Sequence, residues 1–384
     1  MSKFSFMEKL LDGVEVEWKA LGEAAEIKRG TSITKKGVTH GEIPVIASGR
    51  TPAYYHNVSN RTGQTIVIAG SGAYAGFVSW WEQPIFVSDA FTVKPNGQVL
   101  AKYCYYWLQG MQHQLHEMKS GGGVPHVYPR NVAPLKIPIP CPDNPKKSLK
   151  IQAEIVRILD TFTELTAELT AELTAELNMR KKQYNYYRNQ LLSFEEGEVE
   201  WKTLGNLAEN LDSLRKPITS SLRVAGEIPY YGASGIVDYV KDYIFDGDFL
   251  LVSEDGANLV ARNTPIAFSI SGKSWVNNHA HVLKFETYAE RRYVEYYLNS
   301  IELTPYISGA AQPKLNQKNL NSIKIPNPSS EEKERIVTIL DTFDTLITSI
   351  SEGLPREIEL RQKQYEYYRD LLLSFPKPDS EVAA

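Results

Sequence analysis

The sequence predicts an α+β protein: two similar β-rich domains separated by two long antiparallel coiled-coil helices, with a pseudo-twofold internal repeat. Three observations predict it. Val16-Glu17-Trp18-Lys19-Ala20-Leu21-Gly22 returns as Val199-Glu200-Trp201-Lys202-Thr203-Leu204-Gly205, at an offset of 183. Ile155-Val156-Arg157-Ile158-Leu159-Asp160-Thr161-Phe162 returns as Ile336-Val337-Thr338-Ile339-Leu340-Asp341-Thr342-Phe343, at an offset of 181. Gln183-Tyr184-Asn185-Tyr186-Tyr187-Arg188 returns as Gln364-Tyr365-Glu366-Tyr367-Tyr368-Arg369, followed in both halves by a Leu-rich stretch ending Ser-Phe. The period is far longer than the about 20–50 residues of solenoid repeats, so the repeated unit is a domain plus a helix. The sequence divides accordingly into a first domain (1–150), a central helix (151–194), a second domain (195–329) and a C-terminal helix with its tail (330–384).

The first domain is predicted to be mixed and β-rich. Thr65-Ile66-Val67-Ile68-Ala69, Ile85-Phe86-Val87 and Phe91-Thr92-Val93 read as short strands bounded by turn residues, and 103–108 reads as a short helix. The second domain offers strands at 249–252 and 280–283 and a helix at 293–298. Both domains carry a matching Gly-Glu-Ile-Pro (Gly41 to Pro44, Gly226 to Pro229). Both exit through Pro-punctuated segments, 135–140 and 323–328.

From Ile151 to Phe194 there is no Pro or Gly, and apolar residues recur at helical spacing through Ile155, Leu159 and Phe162. Three Thr-Ala-Glu-Leu units follow, rich in strong helix formers, which keep Leu165, Leu169, Leu173 and Leu177 as neighbours along one side. An apolar stripe in a coiled coil is expected there. The second helix carries Ile336, Leu340, Phe343 and Leu346; Pro355, next to Gly353, removes a donor and should kink or break it.

The composition is that of a soluble globular protein, and no apolar run approaches the roughly 18–20 residues that span a bilayer. The opening Met1-Ser2-Lys3-Phe4 has no signal-peptide core, and two cysteines, Cys104 and Cys141, without ligand spacing suggest reduced thiols in the cytoplasm. The net charge of −4 hides a split: residues 1–150 hold 17 Lys+Arg against 11 Asp+Glu, a balance of +6, and the remainder 25 against 35, a balance of −10. A basic first domain permits contact with phosphate.

No catalytic constellation emerges. Gly272-Lys273-Ser274 lacks the upstream Gly of a phosphate loop, and it is expected between strands. Gly70 to Gly76 misses dinucleotide spacing and reads as a tight turn. His279 and His281 are expected on one face of a strand without a third ligand, so no metal is predicted. What remains is a set of Gly-rich polar loops in both halves. Arg, Lys, Asn and Gln read base edges, and small residues let backbone approach phosphate. The candidate contacts are Lys28, Arg29, Lys35, Lys36, Arg50, Ser71, Tyr74, Lys119 and His126 in the first domain. In the second they are Arg215, Lys216, Asn258, Lys273, Asn277, Asn278, Gln312 and Lys314. Gln312 and Lys314 align with Val124 and His126 at an offset of 188.

Taken with its repeats, Pro-punctuated exits, Ile-Leu-Asp-Thr-Phe helix starts and Thr-Ala-Glu-Leu run, the chain resembles the specificity subunits of type I restriction–modification systems, the type IC branch in particular. The resemblance implies a bacterial cytoplasmic protein that is not itself an enzyme. It implies two target-recognition domains, each reading one half of a bipartite, asymmetric site in double-stranded DNA, with no membrane involvement. The helices would set the spacer and dock two methyltransferase subunits, with Phe162, Leu165, Leu169, Leu173, Leu177, Tyr184, Phe343, Leu346 and Tyr365 as candidate spacer and docking residues. Restriction/motor subunits would join through those partners. No cofactor is implied in this chain; S-adenosylmethionine, ATP and Mg are implied on the partner subunits. A coiled-coil scaffold with protein-binding domains, or an enzyme with an unrecognised site, are the alternatives of other classes.

Overall fold

The computed structural model describes residues 13–121, 123–195, 197–309, 312–349 and 353–376. The opening Met1–Phe4, the loop residues Ala310 and Ala311 and the tail 377–384 lie outside the described residues. The chain forms two compact units: residues 1–172 with 358–384, and residues 173–357.

In the first unit, β1 (Val16–Ala20) leads into α1 (Leu21–Ala24), β2 (Ala25–Arg29), β3 (Ile43–Ile46), β4 (Tyr54–His56), β5 (Thr65–Ala69), β6 (Val78–Trp81), β7 (Phe86–Val87) and β8 (Ala90–Pro95). Helices α2 (Ala101–Gly110), α3 (Gln112–Glu117) and α4 (Pro129–Val132) precede β9 (Lys136–Pro140) and the 47-residue α5 (Pro145–Leu191). An antiparallel sheet runs β2-β8-β5-β6, and a smaller one β4-β3-β7. The opening motif and the Pro-punctuated exit are one structure: β1 pairs antiparallel with β9, Trp18 opposite Pro138. Proline is tolerated because this two-stranded ribbon leaves one side of β9 without a ladder partner.

The second unit repeats the plan. β10 (Glu200–Thr203), α6 (Leu204–Leu207) and β11 (Glu209–Asn210) open it; β12 (Ala225–Gly232), β13 (Gly235–Val240), β14 (Phe245–Ser253), α7 (Asn258–Ala261), β15 (Ala267–Val276) and β16 (Ala280–Lys284) follow. Then come α8 (Tyr288–Ser300), α9 (Gln317–Asn321), β17 (Lys324–Asn327), α10 (Ser330–Thr348) and α11 (Leu354–Leu372). The sheet order is β11-β16-β14-β15-β12-β13, and β10 pairs with β17, Trp201 opposite Pro326. Gly272-Lys273-Ser274 lies inside β15 rather than between strands.

The repeated motifs are the parts of each core that come from the long helices. In the first unit Ile151, Ile155 and Leu159 of α5 pack with Tyr103, Tyr106 and Leu108 of α2, joined by Leu372, Leu373 and Phe375 from the end of α11. In the second, Ile336, Val337 and Leu340 of α10 pack with Tyr293, Val294 and Leu298 of α8, joined by Leu192. Each core therefore receives one helix start and one Leu-rich helix end, running antiparallel. The motif aspartate latches each joint: the Tyr106 hydroxyl donates to Asp160 at 2.5 Å, and the Tyr296 hydroxyl to Asp341 at 2.6 Å.

Helix boundaries follow local chemistry. α5 begins before Ile151, with the Asn144 side chain accepting from the Lys147 N–H at 3.1 Å and Pro145 at the first helical position, where a missing N–H costs nothing. The C-terminal helix is broken: α10 ends at Thr348 and α11 starts at Leu354, so Pro355 sits harmlessly in a first turn. The leucine stripe of α5 is partly exposed. Leu165 is 49% exposed, and Leu169, Leu173 and Leu177 are half-buried. At about 100° per residue, Leu165 stands roughly 80° round the helix from the buried Ile155.

Candidate nucleic-acid interface

At the end of the central strand of each unit, two loops are tied together by the same main-chain hydrogen bonds. In the first unit Gly70 N donates to Asp89 O, Val127 N to Gly70 O and Gly72 N to Pro125 O. In the second, Glu254 N donates to His279 O, Leu315 N to Glu254 O and Gly256 N to Pro313 O. A closed pair caps each loop: Ser120 with His126 at 3.0 and 2.9 Å, Ser308 with Lys314 at 2.8 Å both ways. Each turn opens on a left-handed glycine, Gly121 (φ +116°) and Gly309 (φ +85°). The frame thus equates Ser71 with Asp255, Asp89 with His279, Val124 with Gln312, and His126 with Lys314.

The first unit fills the frame with cations over aromatic rings. Arg29 and Arg130 lie 5.4 and 4.8 Å from the Tyr128 ring centroid, and His126 stacks on the same ring at 5.6 Å. Beside them opens a cleft of about 270 Å³ lined by Arg29, Gly30, Ser32, Asp89, His126 and Tyr128 among others. Arg50 lies 4.9 Å over Tyr74, and Lys119 donates to Ala73 O at 2.8 Å, so both flank the same loop. Lys28 lines a separate cleft with Arg61 and Lys94, and Lys35 and Lys36 sit on an exposed 3-10 turn. Ser71 is a correction: it is buried and donates to Asp89, which fixes the loop rather than presenting a hydroxyl outward.

The second unit fills the frame with an ion network. Arg215 donates to Glu254 at 2.6 Å and to Ala280 O at 2.8 Å, and lies 3.3 Å from Asp212. His281 is fully buried, with Nδ1 2.6 Å from Asp212 and Nε2 2.6 Å from Leu315 O. Lys314 reaches Glu254 at 3.1 Å, and His279 reaches Asp255 at 2.9 Å. Burial works to raise both carboxyls, yet Asp212 is held below its usual range by His281, and Glu254 by Arg215 and Lys314.

Three more candidates are corrected here. Arg215 is largely buried and consumed by carboxylates. Asn277 is buried and accepts from His279 N at 2.8 Å. Asn258 closes its own loop through Thr264, with 3.0 Å bonds in both directions. Lys216, Lys273, Asn278 and Gln312 are exposed, Lys273 lying over Tyr243 at 4.6 Å. The histidine reading also changes: His279 lies before β16 and is half-exposed, while His281 is inside. Asp212, Glu254 and His281 do bring ligand atoms within 4.8 Å of one another, partners that spacing could not reveal. Arg215 already sits against both carboxylates, and both His281 nitrogens face protein acceptors, so the residues present a filled cation site rather than a metal cradle.

Residues 13–179 and 196–360 match the family described as the type I restriction modification DNA specificity domain. The chain is similar to the specificity subunit of the type I restriction enzyme EcoR124I/EcoR124II of Escherichia coli, at 40% identity over 99% of both chains. It is also similar to the EcoprrI specificity subunit of Escherichia coli, at 35% identity over 92% of this chain and 93% of that one. The chain belongs to the type I restriction–modification specificity family. A solved type I R-M structure, described by its complex assembly and conformational transition, shares the fold: TM-score 0.63 at 15% identity, over 93% of this chain and 97% of that one.

In this specificity-family chain, sequence reasoning singled out the polar loop 254–258 without the roles of Glu254 and Asp255, and it missed Asp89, Tyr128, Arg130 and Asp212. Tyr128 and Arg130 follow the candidate His126 and Asp212 precedes the candidate Arg215, whereas Asp89 gains meaning only from Ser71, 18 residues away. Of the candidate docking residues, several are engaged inside their own unit. Phe162 packs on Tyr368 at 5.6 Å and the Tyr365 hydroxyl bonds Thr163 at 3.1 Å. Tyr184 and Tyr187 pack on Phe343 at 6.5 and 5.8 Å, and Leu346 is half-buried. No helix among the described residues is long and apolar enough to cross a membrane.

Proposed function

We infer that this chain is the non-catalytic reader of a multisubunit DNA methyltransferase and ATP-dependent restriction endonuclease. Each domain reads one half of a bipartite, asymmetric site through its loop frame, and α5 sets the distance between halves. The observation that carries this reading is the repeated main-chain frame holding different side chains, because two half-sites of unlike sequence require one scaffold with two chemistries. Arg29, Arg50, Lys119, His126 and Tyr128 serve the first half-site; Lys216, Lys273, Asn278, Gln312 and Lys314 serve the second. Phosphate contacts fix position and base contacts carry the specificity. The half-exposed leucines of α5 serve in docking two methyltransferase subunits, which hold S-adenosylmethionine; ATP and Mg belong to the motor subunits. The test is methylation mapping in cells that express the chain with its methyltransferase. Replacing residues 1–150 by the matching segment of a relative is expected to change one half-site only. Change in both would refute independent reading.

A further inference from the structure

We propose that Lys314 is the base-reading side chain of the second domain, that it recognises a guanine edge, and that Glu254 with the buried ions behind it is its positioning device. The proposal rests on the DNA-reading function inferred above and deepens it.

The main chain fixes where Lys314 starts. Its N–H and C=O are both bonded to Ser308, and Leu315 N is bonded to Glu254 O. Gly309 supports this turn: a Cβ there would lie 2.5 Å from Gln312 O. The carboxylate of Glu254 then fixes where the side chain points, since the ammonium lies 3.1 Å away while the side chain stays 51% exposed. A free lysine loses rotamer entropy on binding, and a held one has already lost much of it.

Glu254 is itself held from behind. Arg215 takes its other oxygen, Asp212 takes Arg215, and His281 takes Asp212. Both nitrogens of His281 in turn face acceptors, Asp212 and the Leu315 carbonyl. Within this chain of contacts Lys314 alone keeps half of its side chain exposed.

The first domain lacks this apparatus. Gly70 occupies the frame position of Glu254, and Phe91 falls in the strand register of His281. The second domain therefore places Glu254, Arg215, Asp212 and His281 behind one exposed lysine. Phosphate contact requires no such aim, and a carboxylate beside the ammonium weakens its pull on phosphate. An ammonium offers donors only, so the base edge it fits is rich in acceptors, and guanine O6 and N7 form the most common such edge.

The experiment uses the full chain assembled with its methyltransferase subunits, on a DNA library randomised in both half-sites and over a salt series. Lys314→Ala is expected to lose about tenfold discrimination at one G·C pair of the second half-site and none in the first. Glu254→Gln is expected to relax the same base pair without lowering non-specific affinity or its salt slope, whereas a merely structural defect would lower all of them. Should Glu254→Gln unfold, Lys314→Met and Lys314→Arg keep the question open to decision, because residue 314 is exposed. Uniform weakening by Lys314→Ala across sequences, with a salt slope reduced by about one, would make it a phosphate contact and overturn the proposal. Unchanged preference in Lys314→Ala would also overturn it. A wild-type complex without sequence preference would instead refute the DNA-reading function itself.

Discussion

At the residue scale, the repeated Gly-Glu-Ile-Pro motif shows what one missing side chain does. A Cβ on Gly41 would lie 2.3 Å from His56 O, and one on Gly226 would lie 2.5 Å from Val240 O and Lys241 Cα. Both glycines let a neighbouring strand approach to a distance no other residue permits. Gly226→Ala is expected to destabilise the second unit by about 1–3 kcal/mol, the usual cost of overpacking. Gly97→Ala, with open space around it, should stay within about 0.5 kcal/mol. Urea unfolding followed by tryptophan fluorescence checks both, and equal midpoints for the two variants would contradict the close-approach account. The motif was visible in the sequence, but its reason was not, because the crowding atoms lie 14 or 15 residues away across a sheet.

At the element scale, the start of each long helix is bolted to its domain by one aspartate. Around Asp341, burial works to raise the carboxyl, but hydrogen bonds from Tyr296, Tyr288 and Arg292 outweigh it and hold it below the usual range. Asp212 and Glu254 are depressed as well. A carboxyl whose folded value lies below its unfolded one contributes stability above the unfolded value, and that contribution is lost as pH falls through the folded value. The unfolded references are about 3.9 for Asp and 4.3 for Glu, so thermal stability of the second unit should decline as pH drops below about 4. Asp341→Asn should flatten part of that decline, and a titration of melting temperature with the same slope in both proteins would exclude the role. Tyr296→Phe should cost about 1–3 kcal/mol at neutral pH, since it removes a hydrogen bond to a charged group. The helices were legible from periodicity and from Ala, Glu and Leu content. Their latches were not, because Tyr106 and Tyr296 reach Asp160 and Asp341 from 54 and 45 residues away.

At the scale of the whole molecule, the internal repeat was the most legible feature, since it needs only self-comparison. The opening and exit motifs form the same paired ribbon in both units, and the Ile-Leu-Asp-Thr-Phe starts enter equivalent cores. The proposed reading surface was only partly legible. Candidates such as the exposed Arg50 and Lys314 and the half-buried His126 stand on or beside the loop frame, whereas Ser71, Arg215 and Asn277 proved buried supports. Polarity marks a loop residue as able to bind, but only the tertiary partners decide whether it is already bound. The Thr-Ala-Glu-Leu run lies inside a continuous helix. One unit of four residues carries about 6 Å of rise and about 40° of rotation, and one base pair of B-DNA carries about 3.4 Å and, at roughly 10–10.5 pairs per turn, about 34–36°. Deleting Thr170 to Leu173 is expected to shorten the unread spacer by one base pair with both half-sites unaltered. Methylation mapping that finds only the original spacing would show the run to be a helix and nothing more.

The frame around Ser71 and Asp255 is written almost wholly in main-chain bonds. Amides and carbonyls are common to every residue but proline, so the loops keep their shape whatever side chains they carry. If these loops read DNA as proposed, a mutation at Val124, His126 or Gln312 changes the vocabulary of the reader without touching its grammar. New DNA targets would then be reachable by single substitutions, each tested in a protein that still folds.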